Sequence, residues 1–223
     1  MNLLFIFKRL KRRYGPQHWW PAKTPFEVIV GAILTQNASW ENAARAIQNL
    51  RSKKILSFSA MKKADTAALS SAIRPAGYFN VKARRLKNFI GFLDKEYSGD
   101  VGRLFREDLL GLREKLLGVN GIGPETADSI ILYAAGKPIF VVDAYTKRVF
   151  SRLGFVKETA SYGEIQDYFM KRLPRKAELF NEYHALIVEH AKRSCRSKPL
   201  CASCVLSSSC AYAASLNFSV TSL

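Results

Sequence analysis

Two segments of this 223-residue sequence carry residue types at spacings that could do chemistry. The first holds all four cysteines, Cys195, Cys201, Cys204 and Cys210, in a C-x5-C-x2-C-x5-C array. Four thiolates within sixteen residues suit one tetrahedral metal centre or a cubane cluster, and spacing alone leaves zinc and iron–sulfur both open. Disulfides are the alternative, but the chain lacks a secretory pattern: its apolar run at 3–7 precedes the basic cluster Lys8, Arg9, Lys11, Arg12 and Arg13. The second segment is Gly118-Val119-Asn120-Gly121-Ile122-Gly123-Pro124-Glu125-Thr126. One glycine ends a helix, two more form a tight turn, and Pro124 opens the next helix. Glycine admits positive φ and close backbone approach, while a helix start offers unpaired N–H groups and a positive dipole end. Together they form a backbone site for phosphate that needs no side-chain readout. An ordinary connection between two helices is the plainer alternative. His18, His184 and His190 have no metal-ligand spacing and read as structural or surface residues.

The elements that must position these groups read as helix after helix. Thr24-Pro25-Phe26-Glu27 combines an N-cap, a proline at the first helical position and a glutamate three residues after the cap. The run that follows is too apolar for a surface helix and is expected to be central. Ser39 is expected to cap a helix over 40–50, and Asn80 one over 81–97. The latter places Leu86, Phe89, Ile90 and Leu93 on one stripe and leaves Lys82, Arg84, Arg85 and Lys87 to solvent. Further helices are predicted over 124–135, from a capping box at Ser161-Tyr162-Gly163-Glu164, and over 176–193. Only the short run 139–142 is β-like, so the fold class is all-α. Thirty-five Lys and Arg against eighteen Asp and Glu give a formal charge of +17, which suggests a polyanionic partner and most often nucleic acid. No stretch approaches the roughly 20 apolar residues that span a bilayer, and no membrane association is expected.

The hairpin, followed some twenty residues later by Val141-Val142-Asp143, resembles the helix-hairpin-helix DNA glycosylases of the endonuclease III superfamily. The resemblance runs from Leu34-Thr35-Gln36-Asn37 to the cysteines. It implies two helical lobes: a six-helix module with the hairpin over 22–138, and a second lobe from 1–21 plus 139–223 that carries a C-terminal iron–sulfur cluster loop with four cysteine ligands. An active-site cleft between them is implied too. Bifunctional members place a Schiff-base lysine where this chain has Glu125, and a carboxylate cannot form an imine. Asp143 matches the carboxylate that faces sugar C1′, where a preplaced anion stabilises an oxocarbenium-like transition state and orients water. Capping the helix after it is its alternative role.

Trp-Trp-Pro at 19–21, Trp40, Arg74-Pro75-Ala76-Gly77-Tyr78 and Glu125 are similar to the 3-methyladenine DNA glycosylase III subgroup. Indole faces suit stacking on a flipped, cationic base. The resemblance makes Trp19, Pro21 and Trp40 base-pocket candidates, with Trp20 beside them and Glu125 facing the pocket; core packing is the alternative for the tryptophans. Gln36, with Asn37, is expected at the hole left by an extruded base, and the hairpin residues Gly118, Asn120, Gly121, Ile122, Gly123 and Thr126 at the backbone. The resemblance favours a [4Fe–4S] cluster over zinc on the cysteines, although the first gap is one residue shorter than is typical and the subgroup can lack the cluster.

The expected function is monofunctional base-excision repair, hydrolysing the N-glycosidic bond of alkylated purines in double-stranded DNA containing damaged bases. Alternatives are a glycosylase for another lesion, such as mismatched uracil or thymine or an oxidised pyrimidine, and a non-catalytic DNA-binding module. A monomer is expected, cytoplasmic, and nucleoid-associated in a prokaryote.

Overall fold

The computed structural model describes residues 2–20 and 22–218, the last two by backbone alone. Among the described residues the regular structure is helical, as the sequence patterning predicts. None of these helices is long and apolar enough to cross a membrane. The chain forms two compact units, Trp20–Lys137 and Met1–Trp19 with Pro138–Leu223. The first helix, α1 (Leu3–Tyr14), belongs to the second of these.

The unit Trp20–Lys137 is built around α2 (Pro25–Leu34), whose residues from Glu27 onward are all buried. Thr24 caps it, accepting from the Glu27 amide at 3.2 Å. The Glu27 carboxylate completes no capping box, because Arg51 takes it in a 2.6 Å ion pair. Around α2 stand α3 (Trp40–Ser52), α4 (Phe58–Lys63), α5 (Thr66–Ala72) and α6 (Phe79–Tyr97). Asn80 does not cap α6 as expected: it lies inside the first turn, where its side chain accepts from Ser70 Oγ, and Tyr78 in a left-handed conformation starts the helix instead. Lys82 is a second correction. Its side chain is buried, 1% exposed, with Nζ donating to the carbonyls of Leu34 at 2.8 Å and Ala76 at 2.7 Å. Two free helix-end carbonyls satisfy the ammonium where solvent cannot. Lys87 likewise donates to the carbonyls of Met61 and Lys62, at 2.9 and 3.0 Å.

After α7 (Val101–Leu104) and α8 (Leu109–Leu117) comes the glycine hairpin, and then α9 (Pro124–Ser129). Fully buried Asp128 on α9 receives Arg113 Nε of α8 at 2.8 Å and Nη2 at 3.3 Å. One bidentate pair thus fixes the two helices that flank the turn. A π turn, Ile130–Ala134, extends α9, with the Ala135 amide bonded to Ile130 O.

In the other unit the 139–142 run has no strand partner; it is a buried extended segment, its Phe140 carbonyl accepting from Gln166 Nε2 at 2.7 Å. It leads into α10 (Ala144–Arg152), α11 (Tyr162–Met170), with the predicted Ser161/Glu164 capping box, and α12 (Ala177–Arg193). The last helix is α13 (Ala211–Phe218). Phe140 stacks on Phe169 at 3.9 Å, with Phe150, Phe180 and Tyr183 edge-on around them. The Tyr183 hydroxyl donates to Leu3 O at 2.8 Å, tying α1 to α12.

Candidate functional site

The three hairpin glycines take three different conformations. Only Gly121 has a positive φ, +95°, and a Cβ there would meet Arg85 Cγ at 2.3 Å. Gly118 ends α8 in ordinary right-handed geometry, and Gly123 is extended. A Cβ at Gly123 would touch nothing, so the protein's own packing does not demand a glycine there. Gly123 also caps α9 without a side-chain hydrogen bond, and Pro124 at the first helical position has no N–H to satisfy. Ile122 and Thr126 are buried, at 4% and 6% exposed. The exposed surface of the turn lies instead at Asn120 and Gly123. Asn120 is exposed, and its carbonyl accepts from Asn88 Nδ2 at 3.0 Å.

Gln36 lies beside this turn rather than projecting alone. Its Nε2 donates to Gly121 O and Thr126 Oγ1, each at 2.9 Å, and Arg85 Nη1 donates to its Oε1. Asn37 follows it with a φ of +50° and is exposed. Gln36, Asn37, Arg85, Gly121, Glu125 and Thr126 share the wall of one cavity of about 410 Å³. Glu125 thus borders the cavity of Gln36 and the hairpin, whose wall includes none of the tryptophans expected beside it. Arg85, expected at the solvent face, instead joins the glutamine to the hairpin; its position one helix away gave no such signal.

The tryptophans are divided. Trp20, at φ +68°, stacks on Tyr133 (4.9 Å between centroids, 23° between planes) and meets Trp40 edge-on at 5.4 Å. Its indole covers Gly31, where an added Cβ would lie 3.2 Å from Cζ2. Trp20 is therefore the centre of an aromatic trio, and it, Trp40 and Tyr133 are all partly exposed. Tyr133 went unnoticed in the sequence, although it is the one aromatic of the helix after the hairpin. Trp19 falls in the other unit and is partly exposed, its indole N–H buried without a hydrogen-bond partner. Pro21 lies outside the described residues. Tyr78, in the motif Arg74–Tyr78, is 71% exposed and held at a φ of +44°, a costly way to display an aromatic ring.

Asp143 performs the capping role foreseen for it: Oδ1 accepts the Thr146 amide at 2.7 Å at the start of α10. Its other oxygen, Oδ2, faces His184 Nε2 of α12 at 3.6 Å. Only 14% of the side chain is open. Burial alone would raise this carboxyl; the charge of His184, with the Thr146 amide, outweighs it and holds the group below its ordinary value. The result is a near-buried anion with a small opening, able to stabilise a neighbouring positive charge.

All four cysteines are free thiols, which removes the disulfide reading, and they border one largely apolar cavity with Val149, Leu153 and His190. Burial raises the Cys201 and Cys204 thiols, and the neighbouring cysteines raise both further. Such mutually close thiols become thiolates when a cation compensates them, so the donor set fits a metal group. Among the described residues no three of His, Cys, Asp or Glu are close enough to hold a single ion. Polar groups surround the sulfurs: the Leu206 amide donates to Cys204 Sγ at 3.4 Å, Arg152 Nη1 to Cys195 Sγ at 3.5 Å, and His190 Nε2 is 3.7 Å from Cys204 Sγ. Burial lowers His190 to about 4, and its Nδ1 meets the Tyr14 hydroxyl at 3.0 Å. Arg196 and Lys198 in the loop are exposed.

Residues 30–175 match the family described as HhH-GPD superfamily base excision DNA repair protein. A protein of Methanocaldococcus jannaschii, provisionally named a DNA repair glycosylase, is 51% identical over 207 residues, covering 92% of this chain and 94% of its own. Endonuclease III of Sulfolobus acidocaldarius is 34% identical over 189 residues, 84% of this chain and 82% of that protein. Among solved structures, the 3-methyladenine DNA glycosylase (MagIII) of H. pylori, bound to 1,N6-ethenoadenine, superposes with a TM-score of 0.77 at 30% identity, over 86% of this chain and 98% of that one. A glycine hairpin that opens a helix at Pro124, a buried carboxylate ahead of a helix, and a family match across both therefore lead to one assignment: this chain belongs to the HhH-GPD superfamily of base excision DNA repair proteins, as an endonuclease III-type DNA glycosylase.

Proposed function

We propose that this glycosylase is monofunctional and removes alkylated purines such as 3-methyladenine from double-stranded DNA. The observation that carries the reading is Asp143, a carboxylate held ionised with 14% of its surface open. A flipped base stacks on the aromatic faces of Trp40 and Tyr133, with Trp20 as their support and Trp19 and Pro21 as further wall candidates. The pair of electrons in the bond between C1′ and the base nitrogen leaves with the base, and a cationic methylpurine departs neutral. Asp143 stabilises the positive charge left on C1′ and orients water. The water oxygen bonds to C1′, its proton passes to solvent, and an apurinic site remains. Glu125, at the position where bifunctional relatives carry lysine, offers no amine for a covalent sugar intermediate. The H. pylori relative, named for 3-methyladenine, supports the substrate class.

Gln36 and Asn37 contact the gap left in the duplex, and the hairpin residues Gly118, Asn120, Gly121, Ile122, Gly123 and Thr126 lie at the DNA backbone. In this reading Gln36 exchanges its bonds to Gly121 and Thr126 for DNA. Exposed Tyr78 is a further DNA contact. Cys195, Cys201, Cys204 and Cys210 hold a [4Fe–4S] cluster, with zinc as the alternative. Bound there, the cluster would cross-link the loop and present Arg196 and Lys198 to phosphate. The enzyme acts as a monomer, in the cytoplasm or at the nucleoid.

Mass spectrometry of bases released from methylated duplex DNA tests the substrate. 3-Methyladenine is expected, and the Asp143→Asn variant should lose about 10²–10³-fold in rate while keeping DNA affinity. Undiminished release by that variant overturns the assigned role. Similarity to the Sulfolobus endonuclease III favours a second reading, action on mismatched uracil or thymine or on an oxidised pyrimidine. Release from those substrates, or a borohydride-trapped adduct, would replace the first reading; tight damage-independent binding without release would make the chain a binding module. Visible absorption with iron and sulfide analysis tests the cluster, and stoichiometric zinc refutes it.

A further inference from the structure

His184 lies one helix away from the proposed catalytic carboxylate, on the part of α12 packed against α10, and is itself buried at 6% exposed. The two oxygens of Asp143 have separate partners: Thr146 N–H on Oδ1 at 2.7 Å, and His184 Nε2 near Oδ2 at 3.6 Å. Other polar groups nearby are occupied elsewhere. On α10, Lys147 donates to Ala160 O, and Arg148 to Cys195 O and Ala191 O. On α12, Tyr183 donates to Leu3 O, and His190 is turned toward Tyr14 and Cys204. On α13, Tyr212 lies under the Arg152 guanidinium. His184 is thus the titratable group that a packed element turns onto Asp143.

We propose that His184 is a positioning residue for Asp143, fixing the rotamer and the negative charge of the carboxylate from the helix behind it. The helix start orients one oxygen only, and a carboxylate held by one oxygen can swing about its Cβ–Cγ bond. The imidazole removes that freedom. It also decides the protonation state: burial is the largest influence on this carboxyl and pushes it up, so the Thr146 amide alone would face the burial penalty without help. The inference rests on the assignment of Asp143 to base release.

Single-turnover base release from methylated duplex DNA, followed from pH 5 to 8.5, separates the two ideas. The wild-type enzyme should show no acid limb from Asp143 in this range. His184→Gln should match the wild-type rate at pH 8 and fall progressively below it toward pH 5, because burial of Asp143 is then no longer offset by the imidazole. A flat profile matching the wild type overturns the proposal. Full activity in Asp143→Asn instead removes the assignment beneath it, whatever His184→Gln does. Carboxyl ¹³C NMR of the wild-type protein, with the Asp143 resonance assigned from the asparagine variant, needs no folded His184 variant. An Asp143 signal that stays that of an ionised carboxylate down to pH 5 is expected, and protonation of Asp143 within this range refutes the proposal.

Discussion

The hairpin and Asp143 present opposite kinds of group. At the hairpin Ile122 and Thr126 are buried, and the exposed turn includes Gly123, which has backbone alone to offer. At Asp143 the backbone is buried in the run 139–142 and a single side chain is offered through a narrow opening. A backbone surface cannot distinguish one nucleotide from the next, which suits contact with a phosphate common to all of them. A lone oriented carboxylate has almost no contact area and suits chemistry at one atom. Damage to the first should therefore read out as affinity and fold, and damage to the second as rate.

Asp128→Ala should be the most severe test of that division. It leaves Arg113 against a buried vacancy and frees the two helices that clasp the hairpin. Discounted for the 27% exposure of Arg113, the expected loss is about 2–4 kcal/mol in thermal or urea unfolding. DNA affinity should fall with it. If affinity survives and only turnover falls, the separation between backbone binding and side-chain chemistry is wrong. Gly121→Ala should be smaller, about 1–3 kcal/mol, from a φ of +95° and contact with Arg85. Fluorescence anisotropy with undamaged duplex should weaken as well, because Arg85 and Gln36 shift together.

The third test sharpens the contrast by charge. Burial, with Arg85 adding, pulls the Lys82 ammonium down to about 8 from an ordinary 10.5. Between those values the unfolded chain keeps a proton that the folded protein has released. Stability from this group therefore rises with pH across that window. Melts of the wild type and of Lys82→Met from pH 7.5 to 10 should differ in slope, the wild type gaining relative to the variant. Parallel curves would mean that the Leu34 and Ala76 carbonyls keep the ammonium charged throughout.

The caps at Thr24, Ser39 and Ser161 were legible because an N-cap is a local contract between residues three apart. Asn80 carried the same signal but was claimed by Ser70, ten positions away, and no local pattern reveals that competition. Lys82 misled for a related reason. It sits in a basic stretch where Arg84 is exposed, and its burial depends on two carbonyls from distant segments. At the site, glycine spacing announced the turn, yet only Gly121 needs to be glycine for the fold. The link from Gln36 to the hairpin, the stacking of Tyr133 under Trp20 and the meeting of His184 with Asp143 join residues 41 to 113 positions apart, beyond any sequence period.

The π turn at Ile130–Ala134 has a consequence for how this helix tolerates length changes. A π turn holds one residue more than an α-helical turn would, so a single deletion within it can be absorbed by restoring ordinary winding. That repair would keep the hydrogen bonds and much of the apolar burial, and the protein would still look well folded. The residues beyond the turn would keep facing as they do, because a π turn and an α turn each close about one revolution. Inside the turn the positions close up, and Tyr133, which stacks on Trp20 from there, is the residue whose direction changes. The aromatic trio thus rests on a place where this helix can lose a residue without losing its course.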